Sequence, residues 1–125
     1  MEIYGRDYGF KLTVGASADI ARLCPDGDLS QLGQVLKGRD YAKTMGAIVG
    51  LICAMSKGHE QARAFREPGY KPAPLTRELL ESLDTGTFRA LEKEAIAAFV
   101  RDRKPTVEVN PEDNAKNGEG AGEAG

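Results

Sequence analysis

The chain has 125 residues, of which 41% are hydrophobic and 29% charged, with a formal net charge of −2. That balance belongs to one ordinary globular domain and excludes a wholly disordered chain. Basic residues are spread out and matched by acids, and the densest run, Arg101, Arg103 and Lys104, contains Asp102. Nucleic acid is therefore not expected as the main partner, because its phosphates demand cationic patches.

The first segment, Glu2-Ile3-Tyr4, meets a Gly5-Arg6-Asp7 turn, after which Phe10, Leu12 and Val14 alternate with Lys11 and Thr13. Period-2 alternation behind a turn predicts a short β-hairpin, which must pack on something to persist. Ser17 is the expected N-cap of a short helix over Ala18–Leu23. Cys24-Pro25-Asp26-Gly27 ends it, and Asp28 caps a second short helix over Leu29–Leu36 that Gly38 breaks.

Asp40 opens the main helix. Tyr41, Met45, Ile48, Ile52 and Met55 form a helical seam, and Val49, Leu51 and Cys53 widen the apolar surface most of the way round. A helix with that profile is central to its fold. Gly46, Gly50 and Ala54 lie four apart and admit a close neighbour, which would offset the ~1 kcal/mol each glycine costs a helix. The helix either continues to Phe65 or bends at Gly58. Three prolines and Gly69 make residues 66–74 a loop. Thr76 caps a helix over Arg77–Leu83, and Asp84-Thr85-Gly86-Thr87 is a turn and cap before the last helix, Phe88–Asp102. Thr106–Val109 reads as a short strand. From Asn110 the Gly/Glu-rich composition reads as a disordered tail. The expected fold is mainly α: a small N-terminal hairpin on a bundle of four to five helices over residues 1–109, then a tail over 110–125.

No catalytic, cofactor-binding or metal-ligating constellation is read. His59 is the single histidine and sits in a polar stretch that reads as surface. Cys24 and Cys53 lie 29 positions apart without a CxxC pair, so neither zinc nor a redox pair is indicated. No apolar h-region follows Met1, and the apolar stretch Met45–Met55 is too short to cross a bilayer. Two free thiols in a reducing cytosol are therefore expected. Tyr70, between prolines, is either tucked onto the core or offered to a partner. On physical grounds Met45, Val49, Ile52, Met55, Phe65 and Tyr70 are the candidate partner-binding residues.

The order of elements also resembles a known family. The features are Ile3-Tyr4-Gly5-Arg6-Asp7-Tyr8, Leu12-Thr13-Val14-Gly15-Ala16, Leu23-Cys24-Pro25-Asp26-Gly27-Asp28 and the long helix from Tyr41. Glu67-Pro68-Gly69-Tyr70, Pro74-Leu75-Thr76 and Glu94-Ala95-Ile96-Ala97-Ala98-Phe99 follow. Over residues 2–109 the chain is similar to the tail assembly chaperones of long-tailed, siphovirus-type phages and prophages of Gram-positive bacteria. The resemblance implies a non-enzymatic role in virion assembly. It implies binding to the tape-measure protein, and to tail-tube subunits as a further partner, in the host cytoplasm, with no place in the mature virion. Self-association is expected, and neither nucleic acid nor membrane is an expected partner. It also implies a longer frameshifted form. Ala115-Lys116-Asn117 is encodable as GCA AAA AAC, which contains the slippery heptamer A AAA AAC. The rival expectations are a minor virion structural protein, such as a head–tail connector, and a small regulatory helical protein.

Overall fold

The structure, a computed structural model, describes residues 1–103. Strand β1 (Glu2–Ile3) pairs antiparallel with β2 (Arg6–Asp7), placing Glu2 opposite Asp7 and Ile3 opposite Arg6. The turn is Tyr4-Gly5, with φ of 49° and 81°. Positive φ at both central residues is the geometry whose twist suits a two-residue hairpin. The hairpin is thus present but shorter than its alternation predicted. Tyr8 still pairs with Met1 across the hairpin, its amide donating to the Met1 carbonyl at 2.9 Å, but residues 9–13 join no strand. Two of their donors go to helices instead: the Lys11 amide donates to the Met55 carbonyl (3.0 Å) and the Leu12 amide to Asp102 Oδ2 (3.0 Å). Buried backbone groups must be paired, and here helices replace the missing strand partner.

Helix α1 spans Val14–Ala21 and is capped by Thr13, whose Oγ1 accepts from the Ala16 amide at 3.1 Å. This corrects the expected start at Ser17, whose hydroxyl bonds back to the Val14 carbonyl. Thr13 competes successfully because the chain is still extended there, as an N-cap requires. Two 3₁₀ turns, Pro25–Gly27 and Leu29–Gln31, lead into α2 (Leu32–Val35), and Asp28 caps the second of them.

Helix α3 runs unbroken from Tyr41 to Arg66, 26 residues or ~39 Å, with Asp40 as cap. It does not bend at Gly58. Helix α4 (Arg77–Glu81) is capped by Thr76, and α5 (Thr85–Asp102) by Asp84, so α5 begins three residues before the expected Phe88. The gain comes from Asp84, which accepts from both the amide and the hydroxyl of Thr87.

Helices α1, α4 and α5 all pack on α3. Ile48, Leu51, Ile52 and Met55 are fully buried at this centre, with Ile20, Leu80, Leu91 and Phe99 around them. Tyr41 stands 63% exposed, so the seam begins one turn later than its spacing predicted. The small-residue stripe continues one step beyond Ala54. A Cβ on Gly50 would lie 2.8 Å from Leu23, and one on Gly58 only 2.3 Å from the Lys11 carbonyl oxygen. These close approaches account for Gly50, as its spacing predicted, and for Gly58. Gly46 does not take the close neighbour expected of it: nothing lies within 4 Å of a Cβ there. The expected strand over Thr106–Val109 and the tail from Asn110 lie outside the described residues.

Candidate protein-interaction surface

The six candidate residues separate into three environments. Ile52 and Met55 are fully buried and Val49 nearly so. In the folded chain Ile52 and Met55 hold α3 to its neighbours and present nothing to a partner. Phe65 is the opposite case, 93% exposed on the last turn of α3. Met45 is half-buried and shares an apolar groove of about 260 Å³ with Val49, Leu80, Leu83 and Phe88.

Tyr70 is tied into its own chain. Its hydroxyl donates to Glu60 Oε1 (2.6 Å) and accepts from Arg6 Nη2 (3.0 Å), while the Arg63 guanidinium lies 4.2 Å from the ring centre. Glu60 Oε1 also accepts from Arg6 Nη2 (3.1 Å) and the Ala73 amide (2.9 Å). Burial pushes the Glu60 carboxyl up. The hydrogen bonds from Tyr70 and Ala73 and the Arg6 charge outweigh it and hold the carboxyl below the ordinary range. This bond to Glu60, together with the fixed negative charge, raises the Tyr70 phenol. The cluster fastens the hairpin and the proline loop to α3, settling the tucked alternative for Tyr70. Ser56, also buried, holds the chain just after the same loop: its hydroxyl oxygen accepts from the Leu75 amide at 2.8 Å.

The other polar readings change in detail. His59 is half-buried, its ring filling the space over Gly9, where a Cβ would lie 2.5 Å from Cε1. It is a packing residue, not a free surface histidine. Cys24 is buried and Cys53 half-buried, both as free thiols that burial pushes up. Among the described residues no three His, Cys, Asp or Glu side chains come together as metal ligands. No helix among them is long and apolar enough to cross a membrane.

The larger apolar groove has no signature in the sequence. It measures about 710 Å³ and lies between the end of α1, α2 and the first turns of α3. Leu23, Val35 and Ala47 line it, and Arg39 and Lys43 stand exposed at its rim. Neither cation makes an ion pair among the described residues. The neighbouring Asp40 carboxylate is occupied by the Lys43 amide. Gly46 lines both grooves, so the first turns of α3 form a ridge with apolar channels on either side. A volume within the ~300–1,000 Å³ of binding clefts and a helical ridge between channels suit side chains projecting from a partner helix. No short-range pattern signals this: Leu23, Val35 and Ala47 come from three elements.

A third groove, about 790 Å³, is mixed in character, with Lys11, His59 and Arg66 facing Asp7 and Glu94. Its Arg101 is already bonded to Asp102 and to the Phe10 carbonyl. Comparison of the chain with protein-family models, with curated proteins and with solved structures finds no match.

Proposed function

We propose that this chain is a non-enzymatic assembly chaperone of the siphovirus tail type. It binds the long helical tape-measure protein in the host cytoplasm until tube subunits polymerise, and then leaves. The observation that carries the reading is the pair of apolar grooves flanking the exposed start of α3. Helix-in-groove binding uses such channels to take side chains at i, i+3 and i+4 of an amphipathic client. Several copies along one filament would each need only a modest contact, because linked sites reinforce one another. Self-association and contact with tube subunits belong to the same proposal.

The test is co-expression of the full chain with its neighbouring genes. The expected result is a helix-rich client that is soluble only with this chain, and that escapes when Ala47→Glu places a charge in the larger groove. A client soluble by itself, or this chain retained in purified particles, overturns the reading; the second result favours a connector.

A further inference from the structure

Building on the client site proposed above, we infer that the partner segment seated over the larger groove is an amphipathic helix whose apolar stripe is flanked by acidic residues, and that Arg39 and Lys43 select it by charge. Two features of α3 run against the helix's own stability. The positive end of a helix dipole favours acids, yet the first turn of α3 carries none, and Lys43 lies in it with Arg39 just ahead. Both cations are exposed and make no ion pair among the described residues. Asp40, the one acid lining the groove, is bonded to the Lys43 amide as the cap. Three residues on, Gly46 weakens the helix, and no close neighbour in the described chain compensates for its missing Cβ. The last turn, by contrast, carries Arg63 and Arg66 where the dipole favours bases. Local choices that oppose the fold mark positions answering to something besides folding, and Arg39, Lys43 and Gly46 all line the same groove.

Charge decides the occupant. Arg39 and Lys43 outweigh Asp40 in the larger groove, whereas Arg77 is paired with Glu81 in the smaller one. The ridge therefore separates a positive channel from a neutral one. A helix lying across Gly46 places an acid-flanked apolar row over Leu23, Val35 and Ala47, and uncharged apolar side chains in the smaller channel. A second copy of this chain fits poorly. The exposed large apolar residues of its two long helices, Tyr41, Phe65 and Val100, have Lys43, Arg66 and Arg101 beside them, so they would bring bases to the cations. Nucleic acid fits poorly as well, because two cations over an apolar floor offer few phosphate contacts.

The test uses the full chain and three dye-labelled helical peptides of about five turns. They share a leucine stripe at i, i+3, i+4 and i+7 and differ in flanking it with Glu, Gln or Lys. Fluorescence anisotropy reads the affinity. Rim ion pairs are individually weak, so the Glu peptide should bind about tenfold more tightly than the Lys peptide, with the Gln peptide between. The ratio should fall towards one at ~0.5 M salt, where screening is within a few ångströms. Arg39→Glu with Lys43→Glu should reverse the order. Acids suit the start of a helix, so that variant should melt no lower than the native chain, which separates lost affinity from a lost fold. Gly46→Leu, which fills the shared floor without adding charge, should weaken all three peptides alike.

Equal affinities, a Glu preference that survives the charge reversal, or failure of all three peptides to bind overturns the inference. So does a DNA oligonucleotide that binds more tightly than the Glu peptide. An assembly of the native chain alone that Gly46→Leu dissolves would put a second copy in the groove and overturn it too. Co-expression judges the chaperone reading separately: a client kept soluble equally well by the charge-reversed variant leaves that reading standing and refutes this selection by charge. Charge-selective peptide binding without any tape-measure client does the opposite.

Discussion

Replacing Glu60 with Gln tests how the buried carboxylate holds the hairpin and the proline loop. Glu60 is 2% exposed, and its Oε1 accepts from Arg6, Tyr70 and Ala73. The substitution keeps the volume and an acceptor oxygen but removes the charge. Hydrogen bonds to a charged group are worth ~1.5–3 kcal/mol, against ~0.5–1.5 for neutral pairs. Arg6 is 41% exposed and Ala73 is exposed, so water recovers part of the loss. The expected cost at pH 7 is ~1–2 kcal/mol, a urea midpoint lower by about 1 M. Glu60→Ala, which removes the acceptor altogether, should cost about 3 kcal/mol. The pH dependence fixes the mechanism. The folded carboxyl lies below its unfolded value of ~4.3. Its stabilisation is therefore complete above that value and is lost as pH falls through the folded one. Glutamine has no such titration, so the gap between native chain and variant must narrow below about pH 4. Urea unfolding followed by helical circular dichroism at pH 7 and pH 3 measures it. A gap that is equal at both pH values, or absent at pH 7, refutes the argument from charge.

Two glycine substitutions of one kind should have opposite signs. Gly58→Ala gains ~1 kcal/mol of helix propensity, but its Cβ meets the Lys11 carbonyl oxygen at 2.3 Å and Thr13 Oγ1 at 3.0 Å. Backbone cannot yield as a side chain can, so a net loss of ~1–3 kcal/mol is expected in thermal unfolding. Gly46→Ala meets nothing within 4 Å and should raise stability by ~0.5–1 kcal/mol. At the start of α1, Thr13→Ala should cost ~1 kcal/mol through the lost cap, and Ser17→Ala should stay within ~0.5 kcal/mol; equal effects would return the cap to Ser17.

Much of the framework is written locally. Asp28, Asp40, Thr76 and Asp84 each accept from a backbone amide two or three residues ahead, and a cap needs nothing beyond that span. Helix starts are therefore readable at Asp28, Asp40 and Thr76, while at Asp84 the cap is local but the Thr85-Gly86-Thr87 turn signal places the start three residues late. At Thr13 two hydroxyl residues compete, and the choice depended on where the chain stops being extended. Phe10-Lys11-Leu12 alternates like a strand, yet it is sewn to α3 and α5 because no strand lies beside it.

The candidate surface is less legible for a related reason. The candidates Met45 and Val49 share a groove. The candidates Ile52 and Met55 are interior. A helix apolar most of the way round states how much surface it will bury, not which face its neighbours will cover. Tyr70 pairs with Glu60 ten positions away and Arg6 sixty-four away, and no spacing rule links the three. Composition and period by themselves determined a mainly helical fold organised on one long apolar helix, with its caps, because those are properties of residues within a turn of each other. The tertiary structure alone decided that Gly50 and Gly58 take close neighbours while Gly46 opens onto two grooves, and that Arg39 and Lys43 stand over one of them. Those outcomes depend on where distant elements stop packing, which local preference does not encode.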